Sequence, residues 1–278
     1  AFTAYNTRII TKPGGSMIPT APIKKNILLV AFALGLLIPV VVIFIRENMN
    51  TRVRGRKDLD DLSVPFIGEI PLAICGKKKV KSHEAHTIVV KEGSRDIMNE
   101  AFRVLRTNLE FMIGKDRSSN VIVITSFNPG SGKSFLTMNI AMSLAIKNKK
   151  VLVIDGDLRH ASASAYIHSP EVGLSNYLGG QVDELSDIIV TDKQHPSFSF
   201  IPVGTIPPNP TELLFNDRLQ DAIHTLKQQY DVVLIDCPPV ELVADTQIIE
   251  KWADRTVFVV RAGLLERSML PELENIYR

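Results

Sequence analysis

The sequence predicts a doubly wound α/β domain with a mostly parallel sheet, preceded by one transmembrane helix. Three observations carry that prediction. Five short runs, at 121–125, 151–155, 198–203, 232–236 and 256–260, are nearly continuously apolar and alternate with helix-patterned stretches. Such runs suit strands buried on both faces, as in a parallel sheet covered by helices. The first run leads through a glycine-rich loop, Asn128-Pro129-Gly130-Ser131-Gly132-Lys133-Ser134, into a helical pattern. Far upstream, residues 27–45 are 19 consecutive positions without a charge.

Taken in order, residues 1–25 hold Pro13, Gly14, Gly15, Pro19 and Pro22 and read as an extended, extracytoplasmic connector. Residues 26–45 form the transmembrane helix: the uncharged run spans about 28 Å as a helix, close to the hydrocarbon thickness of a bilayer. It has no polar face, which argues against a core helix, and no small-residue cleavage site follows it. Pro39 is tolerated in a membrane setting. Arg46, Arg52, Arg54, Arg56 and Lys57 follow the helix, against Lys12, Lys24 and Lys25 before it, so the C-terminal side is expected in the cytoplasm. Residues 46–93 then form a basic juxtamembrane linker, with one short strand expected within 62–71 and a lysine-rich stretch at Lys77, Lys78, Lys79 and Lys81. His83 and His86 lie here without further ligands, so no metal site is expected.

The globular domain is expected over 94–278. Its first helix should bury a face built from Ile97, Ala101, Val104, Leu105, Leu109 and Met112. Glu100, Arg103 and Arg106 recur every three residues on this helix; by themselves they read as an exposed ion-pair strip. The loop after the first strand has the composition of a phosphate cradle. Glycines let backbone N–H groups turn inward, and the helix N-terminus adds partial positive charge. Lys133 would reach the β- and γ-phosphates and the Ser134 hydroxyl would ligate Mg²⁺, a P-loop NTPase-like arrangement. One departure is Phe127, which occupies the position where the strict pattern has glycine. The second and fourth strands end in Asp155-Gly156-Asp157-Leu158-Arg159 and in Asp236-Cys237-Pro238-Pro239. Aspartates at strand tips beside a phosphate loop can hold Mg²⁺ directly or through its waters. Further helices are expected at 135–148, 211–229, 245–252 and 267–277.

Composition narrows the function classes. A formal net charge of +2 with no aromatic-studded basic groove gives no reason to expect a nucleic-acid partner. Cys75 and Cys237 are isolated, which implies neither a disulfide framework nor a zinc site. At 45% hydrophobic and 22% charged, the chain can fill one sizeable core.

Together these motifs resemble the bacterial tyrosine kinases (BY-kinases) fused to membrane polysaccharide chain-length regulators. The residues that carry the resemblance are the modified P-loop, the strand ending Asp155-x-Asp157-x-Arg159, the strand ending Asp236-x-Pro238-Pro239, and Glu100-x-x-Arg103-x-x-Arg106. Gly173-Leu174-Ser175, Leu178-Gly179-Gly180, Pro207-Pro208-Asn209-Pro210 and Glu212-Leu213-Leu214 also look familial. The resemblance implies an ATP- and Mg²⁺-dependent protein-tyrosine autokinase at the bacterial inner membrane, with its kinase domain in the cytoplasm. Asn128 to Gly132 would cradle the phosphates and Lys133 would neutralise developing charge. Ser134, Asp155 and Asp236 would form the metal environment, and Asp157 would accept the tyrosine hydroxyl proton. Arg159 is a possible subunit contact. Glu100, Arg103 and Arg106 would mediate head-to-tail self-association able to close a ring, with a neighbour's C-terminal tyrosines entering the site. The implied partners are the membrane, other copies of the chain, the polysaccharide export machinery and an opposing phosphotyrosine phosphatase. No terminal tyrosine cluster is present, Tyr277 being alone there, and a C-terminal truncation is expected. Two rivals are a partitioning or septum-positioning ATPase, whose signature lysine is replaced by Asn128, and a membrane-anchored P-loop ATPase acting as an assembly switch without kinase activity.

Overall fold

The computed structural model describes residues 14–15, 23–72, 86–114, 120–240 and 245–276. Expectations placed on Cys75, Lys77, Lys78, Lys79, Lys81, His83, Tyr277 and most of the 1–25 connector lie outside these residues. The chain separates into two compact units, Ala1–Thr51 and Arg52–Arg278.

The first unit is built on helix α1, Lys24–Asn48, which carries Pro39 inside it and buries no residue. Its 25 residues are long and apolar enough to cross a membrane. The helix outruns the expected 26–45 at both ends, taking in Lys24, Lys25 and Arg46, whose long side chains can reach a polar boundary.

The second unit contains a six-stranded sheet in the order β3-β4-β2-β5-β1-β6. The strands are β1 Val121–Thr125, β2 Val151–Asp155, β3 Val190–Thr191, β4 Phe198–Ile201, β5 Val232–Asp236 and β6 Arg255–Phe258. All neighbours pair in parallel except β3, a two-residue antiparallel edge that the sequence reading did not anticipate. β4 stops at Ile201, before Pro202, which has no N–H to offer the ladder.

Strand alternation divides the core in two. Ile122, Ile124, Val151, Val153, Phe198, Phe200, Val232 and Leu234 face one side, with α2 (Ile97–Ile113) and α3 (Lys133–Ala145) packed on them. Val121, Val123, Leu152, Ile154, Ile201, Val233 and Ile235 face the other. That side is covered by α4 (Leu174–Leu178), α6 (Asp217–Gln229) and α7 (Asp245–Glu250). From β1 the chain crosses to β2 and β4, returns to β5 between β2 and β1, and finishes on β6 beyond β1. The carboxyl ends of β1, β5 and β2 are therefore neighbours, where ligands bind in open α/β sheets.

Several local expectations need correction. The buried face of α2 is Phe102, Leu105, Arg106 and Leu109, spaced to meet α3, whereas Ile97 is 78% exposed and Val104 half exposed. The stretch 211–229 is two helices, α5 (Pro210–Leu214) and α6, because Asn216 caps the second by accepting the Arg218 N–H. Residues 62–71 form no strand; Pro65 and Pro71 interrupt any ladder, and Leu62 and Val64 contribute only side chains to a third cluster. That cluster joins Val53 and Phe127 to Leu265, Leu270 and Leu273, the last two from α8 (Leu270–Ile276). Residues 52–72, expected as linker, thus belong to the second unit.

Candidate active site

The phosphate loop is closed by its own serines. Ser126 Oγ and Ser131 Oγ both donate to the Asn128 carbonyl, at 2.8 and 2.7 Å. Gly130 and Gly132 adopt φ of 72° and 94°, the left-handed region that a side chain disfavours. Gly132 is the N-cap of α3, so the helix begins at the lysine and its free N–H groups face the loop. Phe127 needs no such freedom, because its φ is negative. Its ring is 3% exposed and meets the Phe258 ring edge-on at 4.7 Å. The unusual residue therefore anchors the loop by packing where the strict pattern relies on glycine. Arg261, just beyond β6, donates to the Gly130 carbonyl at 2.6 Å.

Asp155 and Asp236 end adjacent strands in register with each other. Ser134 Oγ donates to Asp236 Oδ2 at 2.5 Å, and the Thr137 hydroxyl lies 3.4 Å from Oδ1. Lys133 is buried beside them, and its charge favours the ionised Asp236. Burial, then the charge of Asp236, pushes the Asp155 carboxyl well above the usual range. Burial also pushes Asp236 up, against the opposing pull of Ser134 and Lys133. Two buried carboxylates at one point call for a cation. The donors here are one hydroxyl and two carboxylates, all hard oxygens. This sparse set suits Mg²⁺, which shares its coordination with phosphate and water. No group of three or more His, Cys, Asp or Glu that could hold a metal exists among the described residues, so this is no all-protein cage.

Asp157 is buried one step further along. Its Oδ1 accepts from the backbone N–H of His160 at 3.1 Å and of Arg159 at 3.3 Å, and the His160 Nδ1 lies 3.2 Å away. Oδ2 has none of these bonds. Arg159 turns inward to the buried Asp245, Nε to Oδ2 at 2.8 Å, and to Thr211 Oγ1 at 2.9 Å. Within one subunit it ties the tip of β2 to α5 and α7.

The Glu100, Arg103 and Arg106 strip does not stay on one face. Glu100 and Arg103 are exposed and paired at 3.1 Å. Arg106 is buried and donates to the Ser143 carbonyl at 2.9 Å. Each step of three residues falls short of a full helical turn, so two steps carry the side chain roughly 120° around α2, from solvent to the α3 contact.

Four residues at the site escaped the sequence reading: Thr137, His160, Ser164 and Arg261. Thr137 had a signal, since it follows Ser134 by three residues on the same helix face. Ser164, which donates to Asp155, and Arg261 carry no local pattern; only the fold brings them in.

Comparison with known proteins places the chain in a family. Residues 119–265, more than half the chain, match the family model described as an AAA domain. The tyrosine-protein kinase wzc of Salmonella typhimurium is 31% identical over 288 residues, covering 99% of this chain and 39% of that protein. The chain thus spans about two fifths of that relative's length. Among solved structures, the BceF tyrosine kinase domain superposes with a TM-score of 0.70 at 35% identity, covering 80% of this chain and 91% of that one. The kinase domain of the Escherichia coli tyrosine kinase ETK gives 0.69 at 30%, covering 81% and 88%. This chain belongs to the bacterial tyrosine kinase family, and its second unit is that family's ATP-binding P-loop kinase domain.

Proposed function

We propose that the chain is the membrane-anchored catalytic part of a protein-tyrosine autokinase that regulates polysaccharide chain length and export at the bacterial inner membrane. The observation that carries the catalytic reading is the constellation of Ser134, in the first turn of α3, with Asp236 and Asp155 at two adjacent strand tips, and a third buried carboxylate, Asp157, immediately beyond it. Magnesium, held by Ser134, Asp236 and Asp155, would supply charge neutralisation on the transferring phosphates. The loop from Asn128 to Gly132 cradles the phosphates with its N–H groups, Pro129 having none to offer and only shaping the turn, and Lys133 balances the charge that grows as the β–γ bridge breaks. Asp157 takes the tyrosine hydroxyl proton through Oδ2, the oxygen not engaged by the turn at 159–160. The γ-phosphoryl passes to the phenolic oxygen and ADP leaves.

The basic flank after α1 supports a cytoplasmic kinase domain, where ATP is available. The exposed Glu100 and Arg103 support a head-to-tail contact between copies that can close a ring. Acceptor tyrosines on a neighbouring copy, the export machinery and an opposing phosphatase come from family likeness. The alternative, a P-loop assembly ATPase without kinase activity, shares the magnesium site but passes the phosphoryl group to water and leaves tyrosine unmodified.

The test is phosphotyrosine formation by the full chain in detergent with Mg²⁺-ATP and a glutamate/tyrosine copolymer as acceptor. Phosphotyrosine should form with the parent and be lost in Lys133→Met and Asp157→Asn, with Asp157→Asn still binding ATP. ATP hydrolysis with no phosphotyrosine on chain or copolymer would favour the ATPase.

A further inference from the structure

Asp155 has two oxygens, and the fold treats them differently. Oδ2 accepts from both the backbone N–H and the hydroxyl of Ser164, each at 2.7 Å. Among the described residues, Oδ1 accepts only the Asp157 N–H, at 3.3 Å. Ser164 is 1% exposed, and its hydroxyl also meets the Val203 N–H at 2.9 Å, past the end of β4. An amide N–H can only donate, so the hydroxyl accepts there and its single proton goes to Asp155. Asp155, Ser164 and Val203 thus form a chain of hydrogen bonds with one possible direction.

The backbone is bent to deliver this contact. Asp157 gathers the N–H groups of Arg159 and His160, and Ala161 sits at φ 49°, a conformation unusual for a residue with a side chain. A 3₁₀ turn then starts at Ser164. Such a conformation persists where the surroundings over-determine it.

We propose that Ser164 is a positioning residue for phosphoryl transfer. By occupying Oδ2 with two donors it holds the Asp155 carboxylate in one rotamer and leaves Oδ1 as the oxygen available to the magnesium nucleotide. This rests on the reading that Asp155 belongs to the metal environment. Removing a partner that orients a metal-binding carboxylate costs about 10–100-fold in metal affinity.

The test is calorimetric binding of ADP to the full chain in detergent, with Mg²⁺ and with EDTA, for the parent, Ser164→Ala, Ser164→Thr, Asp155→Asn and the double variant Ser164→Ala/Asp155→Asn. Ser164→Ala should weaken Mg²⁺-ADP binding about tenfold and leave ADP binding in EDTA unchanged. Ser164→Thr, which keeps the hydroxyl, should restore most of the loss. Asp155→Asn should remove the magnesium-dependent gain, and adding Ser164→Ala to it should cost nothing more. Should Ser164→Ala fail to fold, Ser164→Cys, equal in shape and poor as a donor, takes its place with the same expectation. Equal losses with and without Mg²⁺, or an undiminished loss on the Asp155→Asn background, would show that Ser164 only pins β4 and would overturn the proposal. If Asp155→Asn itself leaves the magnesium-dependent gain intact, the metal reading of Asp155 fails and the proposal falls with it.

Discussion

Phe127 offers the sharpest test of how this phosphate loop is held. Its ring is buried against Phe258 in the cluster that also contains Val53, Leu265, Leu270 and Leu273. Truncating a buried phenylalanine to alanine costs about 3–5 kcal/mol, of which the edge-on pair supplies about 0.5–1.5 kcal/mol. Against the roughly 5–15 kcal/mol that holds a typical domain together, Phe127→Ala should remove a large fraction. In a domain of this size about 3–5 kcal/mol corresponds to a melting-temperature drop of roughly 10 °C. The single tryptophan, Trp252, packs on a different core cluster and reports global unfolding of the domain by fluorescence. Urea titration of the full chain in detergent should show a lower midpoint at unchanged slope. Phe127→Leu should recover most of the loss. A cycle with Phe258→Leu should give a coupling of about 0.5–1.5 kcal/mol. Phe127→Gly, which restores the strict loop pattern, should be as damaging as alanine or worse, because the position needs a ring and not a left-handed backbone. A cost below about 1 kcal/mol for Phe127→Ala would refute the packing argument.

Other expectations follow from the same structure. Asp155 and Asp236 both have raised carboxyl pKa values through burial and their neighbours, so the folded domain retains protons that the unfolded chain has released. Without magnesium and nucleotide, their contribution to stability is present near pH 4 and is lost as pH rises through neutrality. Asp236→Asn should flatten that dependence and raise the melting temperature at pH 8, while abolishing the gain from Mg²⁺-ADP; a steeper pH dependence in the variant would contradict the sign. Arg103→Ala should leave the melting temperature nearly unchanged, and loss of higher oligomers on size-exclusion chromatography would mark Arg103 as an interface residue. Arg106→Ala should instead destabilise the subunit by about 1.5–3 kcal/mol, since a charged hydrogen bond to Ser143 is lost inside the domain. Asn216→Ala should cost about 1 kcal/mol by uncapping α6, read as a urea midpoint shift.

Much of the architecture was legible because it rests on local rules. A parallel strand buried on both faces must be apolar throughout, so β1, β2 and β5 announce themselves, with Thr125, Asp155 and Asp236 marking where each apolar run stops. The membrane helix and the lysine at the start of α3 follow equally from runs and spacing of residues near each other in the chain. What failed was whatever depends on a distant partner. Which side of α2 is buried is decided by where α3 lies, so Ile97 and Val104 face water while Arg106, an ion-pair residue by sequence, goes inward. The Phe127 departure was visible, but its reason was not, because Phe258 lies 131 positions further along. Ser164 and Arg261 reach the site only because parallel strands return each crossover to the same edge of the sheet. The sequence by itself determined five of the six strands described, the phosphate loop and the order of these elements along the chain. The tertiary structure alone decided which donors engage each oxygen of Asp155 and Asp236, since Ser164 and Ser134 are brought to them by packing and not by spacing.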